Sequence, residues 1–129
     1  MAFGKDTQVS MMMGFPAVAD KIQEIDRLRG YENTYVTISE VKKECLDGVK
    51  ITLEDGEALV VSNEQMILTA TGWKQAADIR KEDWLCGKEE DEFIVVEDVA
   101  SVKQENMVKI RVLESGSIIA NGVTLGIYA

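Results

Sequence analysis

The chain has 129 residues with 46% hydrophobic and 29% charged side chains, the balance of one globular domain over residues 1–129 that buries a core without disulfides or metals. It carries 14 basic against 23 acidic residues, a formal charge of -9, which weighs against direct binding to nucleic acid or to an anionic membrane. It contains no histidine, and its two cysteines, Cys45 and Cys86, lack metal-ligand spacing, so neither a metal nor any other cofactor is expected and both thiols are read as reduced.

The elements in chain order read mostly as strands. Gln8 to Met13 is a short strand candidate. In Ala17 to Leu28 the apolar residues Val18, Ile22, Ile25 and Leu28 recur at helical spacing, which predicts a short helix or helical turn ending near Gly30. Thr34 to Val41 is β-branched and alternating. Val49–Leu53 and Ala58–Val61 flank Glu54-Asp55-Gly56-Glu57, a strong hairpin signal, because Asp-Gly tolerates positive φ. Met66 to Thr69 is a further strand, followed by the Thr71-Gly72 turn and Trp73. Trp73 and Trp84 are read as core or core-edge anchors, and Glu89 to Glu92 as a solvated acidic connector rather than a calcium loop. Phe93 to Val96 is a strand that Glu97 to Val102 continues with alternation, and Met107 to Leu113 alternates well. Asn121-Gly122 joins Ile118–Ala120 to Val123–Leu125 in a second hairpin. The sum is an all-β fold of about ten or more short strands with one short helical turn.

Several of these segments, in one order, resemble the Hint fold of inteins and hedgehog autoprocessing domains. Ala2 to Val9 resembles the opening of an intein, KITLEDG at Lys50–Gly56 the hairpin before its histidine motif, and Val61 to Gln65 the Thr-x-x-His motif itself. Thr71 to Ala76, with Asp78-Ile79 and Glu82-Asp83, resembles the GW-x-x-A segment and Gly-Asp turn; Val108–Val112 and Ile118–Leu125 resemble the closing strands. The resemblance implies a horseshoe-like β-domain with its two ends together.

It also implies where the family's chemistry would sit, and here those positions are vacated. The leading Cys or Ser is Ala2, whose methyl group cannot attack a carbonyl. The histidine position is Gln65, an amide that hydrogen-bonds but exchanges no proton near neutrality, while Ser62 keeps a hydroxyl at the threonine position. Ser62 and Gln65 are expected in an ordinary polar loop. The terminal His-Asn pair falls on Gly126 and Ile127. No catalytic residue is therefore assigned, and the chain is expected not to be an enzyme. Its Gly-Ile-Tyr-Ala ending reads as a natural chain end.

The expected role is a structural or interaction module, cytoplasmic or in a virion. A phage capsid, neck or tail accessory protein is the setting suggested by analogy with phage-borne inteins. Neither a signal peptide nor a membrane span is read from the sequence. Contacts with its own copies or with a larger protein assembly are expected through Met11, Met12 and Met13 and through Val123, Leu125 and Tyr128, as strand edges near the chain ends. Two alternatives stand beside it: a remnant self-processing element using Cys45 or Cys86, and an acidic inhibitor of a nucleic-acid-binding enzyme.

Overall fold

The computed structural model describes residues 1–126, and almost every element in it is a strand. Twelve are formed among the described residues: β1 (Ala2–Gly4), β2 (Gln8–Val9), β3 (Ala17–Val18), β4 (Arg27–Arg29), β5 (Tyr35–Leu53), β6 (Ala58–Ser62), β7 (Met66–Thr69), β8 (Gly72–Gln75), β9 (Trp84–Cys86), β10 (Phe93–Val112), β11 (Ser117–Ala120) and β12 (Val123–Gly126). They join one antiparallel network in the order β3-β2-β11-β12-β7-β9-β10-β1-β6-β5-β4, with β8 on β7. An additional β10–β5 pairing closes the circuit β10-β1-β6-β5, so these four strands leave little free edge where they meet.

Both predicted hairpins form. Val49↔Val61 and Ile51↔Leu59 set the first register, with Gly56 at φ +91 in its turn. Ile118↔Leu125 and Ala120↔Val123 set the second, with Asn121 at φ +49 and Gly122 at φ +80, two successive left-handed residues as a tight hairpin turn needs. The Asn121 side chain fastens this turn to its surroundings. Its Oδ1 accepts the Gln8 amide at 2.8 Å and its Nδ2 donates to the Ala58 carbonyl at 2.8 Å.

Two readings are corrected. The helix expected over Ala17 to Leu28 reduces to a single 3-10 turn at Ala19–Lys21 between two short strands, and two other such turns occur at Tyr31–Asn33 and Ala76–Asp78. The helical spacing misled because Ile25 is exposed at φ +67, while Ile22 and Leu28 reach the core from extended backbone. The strands are also not uniformly short. β5 and β10 span 19 and 20 residues and pair along most of their length.

The register of this long pair shifts between Val96 and Asp98, between Val102 and Glu105, and between Arg111 and Val112. A carboxylate sits at each shift and accepts a backbone amide: Glu54 from Val95 at 3.2 Å, Asp47 from Gln104 at 3.0 Å, and Glu114 from Thr37 at 2.8 Å. Each bond satisfies a donor that the irregular ladder leaves without a strand partner. The core runs under the sheet, the ends of this long pair included, from Phe3, Leu28 and Ile38 to Leu59, Ile67, Leu85, Ile118 and Leu125, all fully buried. Among the described residues no helix is long and apolar enough to cross a membrane.

Candidate functional site: the cleft where the chain ends meet

The two ends of the described chain are interior strands. β1 lies between β10 and β6, through Ala2↔Lys109 and Phe3↔Val61. β12 lies between β11 and β7, through Ser117↔Gly126 and Gly126↔Met66. The β6–β7 turn stands over the point where they converge. Its backbone is fixed by Gln65 N–H to Ser62 C=O at 3.1 Å and by Ala76 N–H to Gln65 C=O at 2.8 Å.

Gln65 projects from this turn into the seam. Only 4% of it is exposed, and its amide is fully used. Oε1 accepts the Ala2 N–H at 3.0 Å; Nε2 donates to Gly126 C=O at 2.8 Å and to Met66 C=O at 3.0 Å. One side chain thus bridges the first strand and the last. The ordinary polar loop expected for Ser62 and Gln65 is corrected here. Ser62 ends β6 and lines the adjoining cleft, but Gln65 is buried, because two backbone groups of interior strands need partners there.

The Met1–Ala2 peptide is held at both polar atoms, since Met1 C=O accepts Ile110 N–H at 2.9 Å. Burial, then the nearby Lys109 and Arg111 charges, pull the Met1 amine below its ordinary value. On the other side Trp73 covers Gly126: a Cβ there would lie 2.5 Å from the indole ring, so any larger residue would have to displace the ring. Reading the sequence alone missed this contact. The signal was a Gly at the end of an apolar strand with no turn to require it. An open cleft of about 530 Å³ fronts the seam, with Asn63, Glu64, Gln75 and Lys109 on its walls beside Ala2 and Gly126.

This arrangement holds the Met1–Ala2 peptide bond by both of its polar atoms. The Ala2 methyl is no nucleophile, and the Gln65 amide relays no proton near neutral pH. Ile127 lies outside the described residues, as does Tyr128. Neither cysteine lines the cleft. Cys86 is buried on β9, where burial pushes its thiol up. Cys45 is exposed on β5 and donates to Asn106 Oδ1 at 3.2 Å in a separate groove. Among the described residues no cluster of His, Cys, Asp or Glu is arranged to hold a metal ion.

The expected contact residues divide. Val123 and Leu125 are wholly buried, because β12 is an interior strand and not an edge, so they are withdrawn as a contact surface. Met11 is half-buried, bridges to Leu28 and packs on the core. Met12 and Met13 are exposed. The Gln8–Met13 strand is cut to Gln8–Val9 because the chain bends away after Met11.

No protein-family model matches the sequence, and no curated protein matches it. Solved structures do match. The gp41-1 intein superposes with a TM-score of 0.84 at 23% identity over 98% of each chain. A DnaB intein from Synechocystis sp. superposes with a TM-score of 0.83 at 12% identity over 99% of each chain. The MchDnaB-1 intein does so at 0.78 and 12% identity, over 97% of this chain and 99% of that one. The fold is that of an intein-like Hint domain.

Proposed function

We propose that this chain uses the intein-like fold without the cleavage chemistry and acts through surface contacts. The observation that carries the reading is Gln65. A buried amide with every hydrogen-bonding group engaged joins Ala2 to Gly126, in a seam whose first residue offers only a methyl group. The site closes the sheet instead of opening a peptide bond. A protein of this kind contributes through what it touches, and the exposed Met12, Met13 and Phe15 around the Gly14 bend offer an apolar surface for a partner. A place in a larger protein assembly, such as a virion, is the setting we propose for it.

The test is intact mass. Incubation with dithiothreitol or hydroxylamine, with reporter segments fused before Met1 and after Ala129, is expected to leave one unchanged species. A thiol-dependent loss of either segment would restore the self-processing reading. The partner reading is tested separately by native mass and co-purification of the parent and Met12→Glu. Identical assembly by both removes the Met12–Phe15 surface from it.

A further inference from the structure

On the sheet, away from the seam, two large aromatic rings stand in solvent. Trp84 is 54% exposed and Phe93 38%, with ring centroids 5.7 Å apart and planes inclined at 47°. The pairing explains why they meet. Trp84 lies opposite Val95 and Phe93 opposite Cys86 on the antiparallel β9–β10 ladder, so the two rings are diagonal neighbours on one face. Val95, half-buried, extends the strip.

The charge around this step is predominantly negative. From Glu82 to Asp98 the sequence carries eight carboxylates and a single cation, Lys88. Glu54 joins them in space, since its N–H donates to Val95 C=O at 3.0 Å and its carboxylate accepts Val95 N–H at 3.2 Å. Asp83 is engaged by Lys74 at 3.6 Å. Glu54, Glu82, Glu92 and Glu97 are all exposed and have no cation within 4 Å among the described residues.

We infer that the Trp84–Phe93 step, with Glu54, Glu82 and Glu97 beside it, is a docking surface for an arginine- or lysine-rich segment of a protein partner. Aromatic faces attract cations through their quadrupole, and guanidinium groups stack on them. The surrounding carboxylates supply long-range attraction and the choice of charge sign. Exposed rings within an acidic field repel nucleic acid and anionic lipid, which leaves a basic polypeptide as the occupant. This inference rests on the surface-contact reading above and is tested apart from it: cleavage seen by mass would end that reading without touching the binding result.

The experiment is a titration of the full chain with a nonaarginine peptide, with nonaglutamate as control, followed by the indole N–H resonances of Trp84 and Trp73. The Trp84 signal is expected to move with saturation while Trp73, seated on Gly126, stays still. Trp84→Leu and Phe93→Leu should each weaken binding by about tenfold, the size of a partly desolvated cation–π contact. Glu105→Gln, out on the β5–β10 pair, should leave it nearly unchanged. An unmoved Trp84 resonance in the parent protein overturns the inference even if the aromatic variants fail to fold. Equal weakening by Glu105→Gln and Trp84→Leu also overturns it, because the attraction would then be that of a diffuse polyanion.

Discussion

Two regions of this molecule solve the same problem, unpaired backbone, in opposite ways. At the seam, the ends of the chain are sealed by a neutral amide: Gln65 sits between Ala2 and Gly126, buried, with each of its donors and its acceptor used. Along the β5–β10 ribbon, whose central stretch is exposed, the three register shifts are sealed by carboxylates, Glu54, Asp47 and Glu114. The choice follows from dielectric. A buried carboxylate would need a compensating cation, whereas an amide carries no charge and both donates and accepts. On the ribbon a carboxylate remains hydrated while accepting two bonds, as Glu114 does from the Thr37 amide and hydroxyl. Chain ends usually fray; here Ala2, Phe3 and the strand Val123–Gly126 at the two ends of the described residues are buried, while residues 97–106 of β10 are largely exposed.

The sharpest way to break the comparison is Gln65→Leu. It keeps the volume roughly and removes the bridge, so the Ala2 N–H and Gly126 C=O are left buried without that partner. At about 1–3 kcal/mol for each of the two orphaned groups, a loss of about 2–6 kcal/mol in urea unfolding is expected. Amide exchange should quicken at Ala2 and Ile110 while the ribbon amides around Asp47 keep their protection. A loss below about 0.5 kcal/mol would mean water or a relaxed backbone replaces the bridge, and the seam would not be the closure described here.

Gly126→Val should come next, at about 1–3 kcal/mol, because its side chain must displace the Trp73 ring from a contact already closed to a Cβ. The change should also reach the indole: its emission should shift toward that of a solvated tryptophan. Full stability with an unaltered Trp73 signal would show that the ring does not cap the strand end.

The same contrast governs what the sequence made legible. The hairpins at Asp55-Gly56 and Asn121-Gly122 were readable because their turns impose positive φ on residues that tolerate it. The single strand β10 appeared as two pieces, Phe93 to Val102 and Met107 to Leu113, since Lys103 to Asn106 looks like a polar break. Over residues 97–106, where no side chain of β10 is buried, nothing forces alternation, so polar residues continue the strand unseen. Ala2 and Gln65 were located by resemblance, and the closeness of Ala2 to Gly126 followed from the expected meeting of the ends. The burial of Gln65 was not legible, because a glutamine in a polar stretch carries no mark of the backbone groups it will serve. For the same reason Val123 and Leu125 looked like an apolar edge: whether a strand lies at the rim or inside a sheet depends on topology, which local pattern does not encode.

The smallest expected effect is the dependence of the ribbon on pH, and it bears on the carboxylate half of the comparison alone. The Thr37 backbone amide, and then its hydroxyl, hold the Glu114 carboxyl below the usual carboxylate range against the opposing effect of burial. The Gln104 backbone amide does the same for Asp47, helped by the Gln104 side chain and by Lys103. Both carboxyls have lower values folded than unfolded, so the unfolded chain binds more protons as acid is added. Their stabilisation is therefore complete above the unfolded values, near pH ~4 to 4.5, and is lost as pH falls through the lower folded values. Urea midpoints should hold steady from about pH 7 to 5 on this account and fall below that. In Asp47→Asn with Glu114→Gln the acid-side fall should be shallower than in the parent, while Gln65→Leu, a neutral change, should lower the whole curve without altering its slope. If the double variant keeps the parent's acid slope, the register shifts are held by strand pairing and the carboxylates merely decorate them. The seam and the ribbon would then differ in exposure but not in how they are fastened.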